Sequence, residues 1–254
     1  MSQVESIHAA FAEVMRSFNT SPAIQFLKDG QFTIAHYKSY LRETYHYTKE
    51  DPQLQALASV YFRGSDRHMV KLFLRHAISE VGHDVAALKD LEVLGEKPQE
   101  VFSENPLPAT IALTSYPFFE INYRNPIAYL GYLFFLEHMP TQHGAIYAKA
   151  LTAAGVPEAA MGFLKEHMHV DVGHNKLMEK YLAHLVHNRK DADAMIYSMH
   201  VTAQLFANML WAAVERAEKP ASYGVCWDEV DRLKSEGGAT DAGEEADDHE
   251  PHHH

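Results

Sequence analysis

Residues 163–176 read FLKEHMHVDVGHNK, and three of them, His167, Asp171 and His174, have the types and spacing of metal ligands. Their separations are four and three residues. On a helix turning ~100° per residue they fall within roughly 60° of one another, whereas His169 points about 160° away. Phe163, Val170 and Met178 flank this face, which predicts that it is at least partly buried. Two imidazoles and a carboxylate are costly to bury unless they are paired or bound to a metal.

A second set lies in RHAISEVGHDVAALKDLEVLG, where Glu80 and His83 form an E-x-x-H pair. The spacing predicts that both share one helical face, with His76 and Asp84 as further candidates on it. Di-iron and di-manganese bundles combine such pairs with lone glutamates from other helices. A third feature is Glu137 in PIAYLGYLFFLEHMP, directly after Leu133, Phe134, Phe135 and Leu136. The nearest cations in sequence, Arg124 and Lys149, are over three helical turns away, so a metal would supply the missing partner. Each signal has an ordinary alternative. A lone E-x-x-H is commonly a surface pair, and a buried glutamate can be neutral and hydrogen-bonded to one of the 13 tyrosines. The coincidence of three helices, together offering three histidines and three carboxylates, points to two irons. Imidazole and carboxylate without thiolate suit non-heme iron or manganese, with zinc a further option.

The elements that must position these residues are helical. Apolar residues recur at three- and four-residue spacings almost throughout, and no strand pattern is present, so an all-α fold is expected. The pattern predicts helices over about 3–18 and 24–28, then one from 33 interrupted at Pro52 and continuing to about 62. Another is capped by Ser65 or Asp66 and ends near Gly95. A loop follows over EKPQEVFSENPLP, then a helix over about 109–123 that bends at Pro117, and one from Pro126 to about Gly155. Pro157 is expected just inside the start of the helix with the His-Asp-His face, and a last helix covers about 192–217.

Composition narrows the function. Hydrophobic content of 46% with 22% charged residues is that of an ordinary soluble domain. No stretch approaches the ~18–20 apolar residues of a membrane span, and the N-terminal segment reads as an amphipathic helix rather than a signal peptide. A cytoplasmic location is the resulting expectation. The single cysteine, Cys226, excludes an intramolecular disulfide. A net charge of −12 argues against nucleic acid as a partner. We expect one helical domain over residues 1–220, an extension over 221–235, and an acidic, disordered tail over 236–254 whose terminal HHH is either native or a tag remnant.

With these residues in place, the chain resembles the heme-oxygenase-like di-iron oxidase and oxygenase family. Its superfamily also holds heme oxygenases, TenA proteins and the quinone-forming cofactor synthase PqqC. The resemblance covers roughly residues 5 to 215 and is carried by residues 80–95, by L-G-Y-x-x-x-L-E ending at Glu137, and above all by His167-x3-Asp171-x2-His174. It implies a seven-helix bundle with ligands from three core helices. Glu80, His83 and His167 would hold one iron. Asp171 and His174 would hold the second, with Glu137 reaching it or bridging. Glu43 is the candidate for a further carboxylate, in competition with Glu50 and His46. It also implies two Fe(II) ions (manganese in place of one being an option), O2 as co-substrate, an external reductant, and a small organic substrate such as a fatty acid, an amino acid or an amine. Tyr45, Tyr47, Phe134, Phe135 and Phe206 are candidates to line the substrate site, and Arg75 is a candidate to reach a substrate carboxylate. A homodimer is common among such folds, although no interface is legible. A TenA-like activity would need a mid-chain cysteine, which is absent. A heme oxygenase could use His8 as axial ligand but would leave Glu80, Glu137 and Asp171 unexplained. The readings that remain beside a di-iron enzyme are a cofactor-free oxidase, a non-catalytic metal- or ligand-binding protein, and a helical interaction protein.

Overall fold

The structure is a computed structural model in which residues 2–219 are described. The extension and tail expected over 221–254, Cys226 included, lie outside the described residues, as do the side chains of Val170, Asp171 and Val172.

Among the described residues the chain is all-helical. Eleven α-helices follow one another: α1 (Gln3–Phe18), α2 (Pro22–Lys28), α3 (Ile34–Thr48), α4 (Asp51–Ser59), α5 (Val70–Glu80), α6 (His83–Val93), α7 (Pro98–Phe102), α8 (Pro108–Phe119), α9 (Tyr129–Ala153), α10 (Gly162–Leu185) and α11 (Arg189–Glu218). Helix α1 starts where the sequence puts a capping box, with Ser2 and Glu5 closing each other's backbone donors. Helix α9, whose first half is strongly apolar, packs against both α10 and α11. Gly131 sets the second contact. A Cβ there would stand 2.1 Å from the Met195 carbonyl oxygen, so only glycine admits so close a backbone approach.

Several expected rods are broken, and one break matters for the site. The helix expected to run from Ser65 or Asp66 to Gly95 opens as a 3-10 turn, Gly64–Met69, and then stops at Glu80. Gly82, with φ of +97° in the left-handed region, turns the chain before α6 begins at His83. Glu80 and His83 therefore do not share one continuous helical face, and the spacing rule misplaced that pair. The expected loop contains the short α7. Helix α8 runs through Pro117, and a π-helical turn, Glu120–Arg124, follows it.

Helix α10 does not start at Pro157, which instead precedes a 3-10 turn over Glu158–Ala160. Its start is fixed from elsewhere in the fold. Asp90 of α6, buried, accepts hydrogen bonds from the backbone N–H groups of Gly162 and Phe163, each at 2.9 Å. A carboxylate at this position satisfies two orphan donors and favours the positive end of the helix dipole. Gly162 leaves room for it, since a Cβ there would lie 2.9 Å from Asp90 Oδ1.

Candidate metal centre

Four helices converge on one buried spot. Helix α5 brings His76 and Glu80, α6 brings His83, α9 brings Glu137, and α10 brings His167 and His174. They form two groups, His76–Glu80–Glu137–His174 and Glu80–His83–His167, and within each group ligand atoms lie within 4.8 Å of one another. Glu80 belongs to both. Its Oε2 is 2.8 Å from His83 Nδ1, and its Oε1 is 3.2 Å from His76 Nε2 and 3.3 Å from His174 Nδ1. Glu137 places Oε1 2.9 Å from His76 Nε2 and Oε2 3.1 Å from His174 Nδ1.

These approaches are close, yet several are poorly directed. His76 Nε2, His83 Nδ1 and Glu80 Oε1 are buried and aligned for a hydrogen bond with no partner. Nitrogen and oxygen atoms that come within 3 Å without pointing at one another fit atoms aimed at a shared third point. Together with a donor set of imidazole and carboxylate only, this fits a hard or borderline metal such as iron. The electrostatics agree. Burial opposes ionisation of Glu137 and Glu80, but the histidines beside them outweigh it and hold both carboxyls below the usual range. His76 is held above its ordinary value because Glu137 and Glu80 outweigh its burial, and His83 because of its contact with Glu80.

Neighbouring groups orient the ligands, as they do around bound metals. His167 Nδ1 lies 2.8 Å from the Phe163 carbonyl oxygen, which leaves Nε2 for a ligand role. Asp90 fixes that same turn of α10 by capping it. His174 Nε2 is 3.4 Å from the Ser79 hydroxyl, and Asn175 donates to Thr141 at 2.8 Å, tying α10 to α9.

A cavity of about 120 Å3 reaches the centre, with Glu80, Glu137 and His167 in its wall. The rest of the wall is mainly apolar and aromatic, including Phe18, Ile24, Leu27, Tyr47, Leu133 and Phe206, with Asp51 and Gln55 among the few polar members. Among the described residues no lysine or arginine lines it. Burial raises the Asp51 carboxyl well above its usual range, and Glu80 and Glu137 add to the rise.

Residues 38–207 match the sequence profile of a family described as iron-containing redox enzymes. The chain belongs to that family. No curated protein matches it. Among solved structures it is similar to a domain of unknown function with a heme oxygenase-like fold from Shewanella denitrificans OS217, at 28% identity and a TM-score of 0.74, covering 86% of this chain and 94% of that one. A TenA homologue from P. horikoshii OT3 shares the fold at 12% identity, with a TM-score of 0.69 and coverage of 85% and 99%. Heme oxygenase from Leptospira interrogans does so at 16% identity, with a TM-score of 0.57 and coverage of 83% and 98%.

In this iron-containing redox enzyme family member the expected ligands separate into three sets. The structure brings together Glu80, His83, Glu137, His167 and His174. The side chain of Asp171 lies outside the described residues. Glu43 is elsewhere. Its Oε1 meets Arg216 at 2.6 Å, and its Oε2 accepts from the Leu107 N–H at 3.0 Å and from the Thr110 hydroxyl. Those donors satisfy both oxygens, and Glu43 is in neither group of clustered ligand atoms. Glu50, His46 and Asp84 are in neither group. His76, which the sequence reading placed only among possible companions of Glu80, is central to one of them, and Glu80 rather than Glu137 is the residue common to both. The E-x-x-H motif drew attention to the later half of the segment, although His76 and Glu80 are four apart and so adjacent on α5. Of the five candidate aromatic residues, Tyr47 and Phe206 line the cavity. Tyr45, Phe134 and Phe135 pack elsewhere in the core, Phe134 against His8, Phe11 and His138. Arg75 is exposed and outside the cavity wall. His8 pairs with Glu179 at 2.9 Å.

Proposed function

We propose that the protein is a non-heme di-iron enzyme that uses O2 to oxidise a small, largely apolar organic substrate. The observation that carries this reading is the set of close but misdirected ligand atoms at the wall of a mainly apolar cavity. Glu80, His83 and His167 would hold one ion. His76, Glu137 and His174 would hold the other, with Glu80 between them and Asp171 as a further candidate on α10. When bound, the irons supply the electrons and the open positions at which O2 is activated, with an external reductant returning the site to Fe(II).

The protein's own part is to place and shield the substrate. At ~10–15 Å3 for each water-sized site, the cavity has room for on the order of ten such groups, about the bulk of a medium-length hydrocarbon chain. Its apolar wall excludes water and holds such a chain by burial. No cation in the wall would bind a carboxylate, so an acid substrate would have to place its carboxylate at the metals themselves. An amine would find Asp51 instead. Fatty acids and apolar amines therefore rank above polar amino acids as candidates.

Anaerobic titration of metal-stripped protein with Fe(II), followed by mixing with O2 in a stopped-flow absorbance experiment, tests the reading. About two irons per chain and a transient visible band, both altered in His174→Ala, are expected. No iron uptake, or uptake without reaction with O2, would overturn it and favour a cofactor-free oxidase or a binding protein. A matched series of fatty acids and alkylamines, scored by how far each accelerates decay of the band, then identifies the substrate class.

A further inference from the structure

Gln55 is fully buried on α4, and its amide nitrogen lies 2.8 Å from His76 Nδ1. The Tyr181 hydroxyl stands 3.3 Å from the same nitrogen. The Gln55 amide oxygen is buried and has no hydrogen-bond partner. On the far side of the ring, His76 Nε2 is the atom that approaches Glu80 and Glu137.

A ring nitrogen that takes a metal carries no proton, so an Nε2-bound imidazole keeps its one proton on Nδ1. Nδ1–H then needs an acceptor; the Tyr181 hydroxyl oxygen is one at 3.3 Å, but the nearer group, an amide NH2 at 2.8 Å, would oppose one donor with another. A half-turn of the amide exchanges its nitrogen and oxygen, which are nearly alike in size. That turn gives the Nδ1 proton an acceptor and the amide oxygen the partner it lacks. It leaves the NH2 group on the face of α4 that Gln55 shares with Asp51, four residues earlier, and both residues line the cavity.

We propose that Gln55 is a positioning residue: its amide oxygen holds His76 in the Nδ1–H tautomer and thereby makes His76 a metal ligand in the group with Glu80, Glu137 and His174. The inference rests on the metal-binding reading above and adds to it a residue outside the ligand set, on a helix that contributes no ligand. Residues that orient a ligating histidine in this way commonly change metal affinity by ~10–100-fold when removed.

Two substitutions separate this role from packing. Gln55→Leu keeps the bulk and removes the acceptor. Gln55→Glu keeps an acceptor for Nδ1–H and removes the amide donor. Metal-stripped wild-type, Q55L and Q55E proteins are titrated anaerobically with Fe(II), and with Co(II), whose visible absorption bands report coordination. Thermal unfolding without metal checks each fold. The expected result is two ions in wild type, loss of ~10–100-fold in affinity for one ion in Q55L, and wild-type stoichiometry in Q55E. Packing alone predicts the reverse order, with the apolar Q55L tolerated and the buried charge of Q55E harmful. Two tightly bound ions in Q55L, or loss of an ion in Q55E, would overturn the proposal while leaving the di-iron reading intact. A wild-type protein that takes up no metal would overturn both.

Discussion

Two carboxylate centres are buried in the same bundle and are treated in opposite ways. At Glu43 every oxygen has a directed donor, from the Arg216 guanidinium, the Leu107 N–H and the Thr110 hydroxyl. At Glu80 and Glu137 the neighbours are imidazoles, and several atoms at ion-pair distance have no aligned bond. Histidines record the same contrast. His46, near Glu104 and Arg216, is pushed down to about 3, by burial first and then by Lys49, Arg216 and Arg42. His76, equally buried, is pushed up by its two glutamates. At the first centre the Glu43–Arg216 ion pair is complete and holds α3 and α11 together, while the ring nitrogens of His46 and the Glu104 Oε1 beside it have no hydrogen-bond partner among the described residues. At the second, His76 Nε2, His83 Nδ1 and Glu80 Oε1 find no hydrogen-bond partner among the described residues, which suits a ligand held between them.

The largest expected effect is at the first centre. Arg216→Met leaves Glu43 as an uncompensated buried charge, at a cost of about 3–5 kcal/mol. Thermal unfolding should fall sharply, while the folded fraction binds metal as wild type does. Loss of metal with little loss of stability would collapse the distinction between the two centres. At the second centre the metal carries the larger effect. Glu137→Gln removes the charge beside His76 and His174 and so costs the metal-stripped protein some stability, but it should also remove much of the stabilisation that added Fe(II) gives wild type, which is about 2.7 kcal/mol at a hundredfold excess over Kd. That stabilisation should also depend on pH. Because His76 and His83 hold their protons above the ordinary imidazole value, a metal must displace protons there, and its binding weakens as pH falls through that range. A metal-induced shift in unfolding temperature that is flat between acid and neutral pH would count against these histidines as ligands.

Much of this difference was legible in the sequence, and the parts that were not have physical reasons. Glu137 was singled out because no cation lay near it along the chain; in space it meets His76 and His174. Glu43 looked like a comparable candidate because its neutralising partner, Arg216, is 173 residues away in sequence. A long-range ion pair leaves no local mark. That His167 and His174 both reach the centre followed from helical geometry, since α10 is continuous through both. The pairing of Glu80 with His83 followed from the right motif for the wrong reason: the chain unwinds between them. Gln55 carried no signal, because a glutamine in a helix becomes informative only when the imidazole it faces is known.

Asp90 is the next smaller test, because it acts on the second centre only through α10. Asp90→Ala removes no ligand, but it releases the Gly162 and Phe163 donors. Loss of a capping carboxylate costs ~0.5–2 kcal/mol. The His167 side of the centre lies just beyond the uncapped turn, so one of the two ions should bind more weakly while the other is unaffected. Asp90→Asn, which can still accept from one N–H, should lie between the two. Equal weakening of both ions would mean that the cap supports the whole centre rather than one half of it.

Gly82 gives the most local effect. A Cβ at this position meets nothing within 4 Å, so Gly82→Ala introduces no clash. What it introduces is a side chain on a residue with φ of +97°, at a cost of roughly 1–2 kcal/mol for a left-handed backbone. The chain can relieve that strain only by winding the Val81–Gly82 turn back toward a continuous helix. That would move His83 relative to Glu80 and leave Glu137, His174 and His76 where they are. Metal titration of the variant should therefore show one site weakened, the one built from Glu80, His83 and His167, with unfolding of the metal-stripped protein only slightly earlier. If both sites kept wild-type affinity, the turn would be a connection between helices with no part in shaping the centre, and the separate helical origins of Glu80 and His83 would carry no functional meaning.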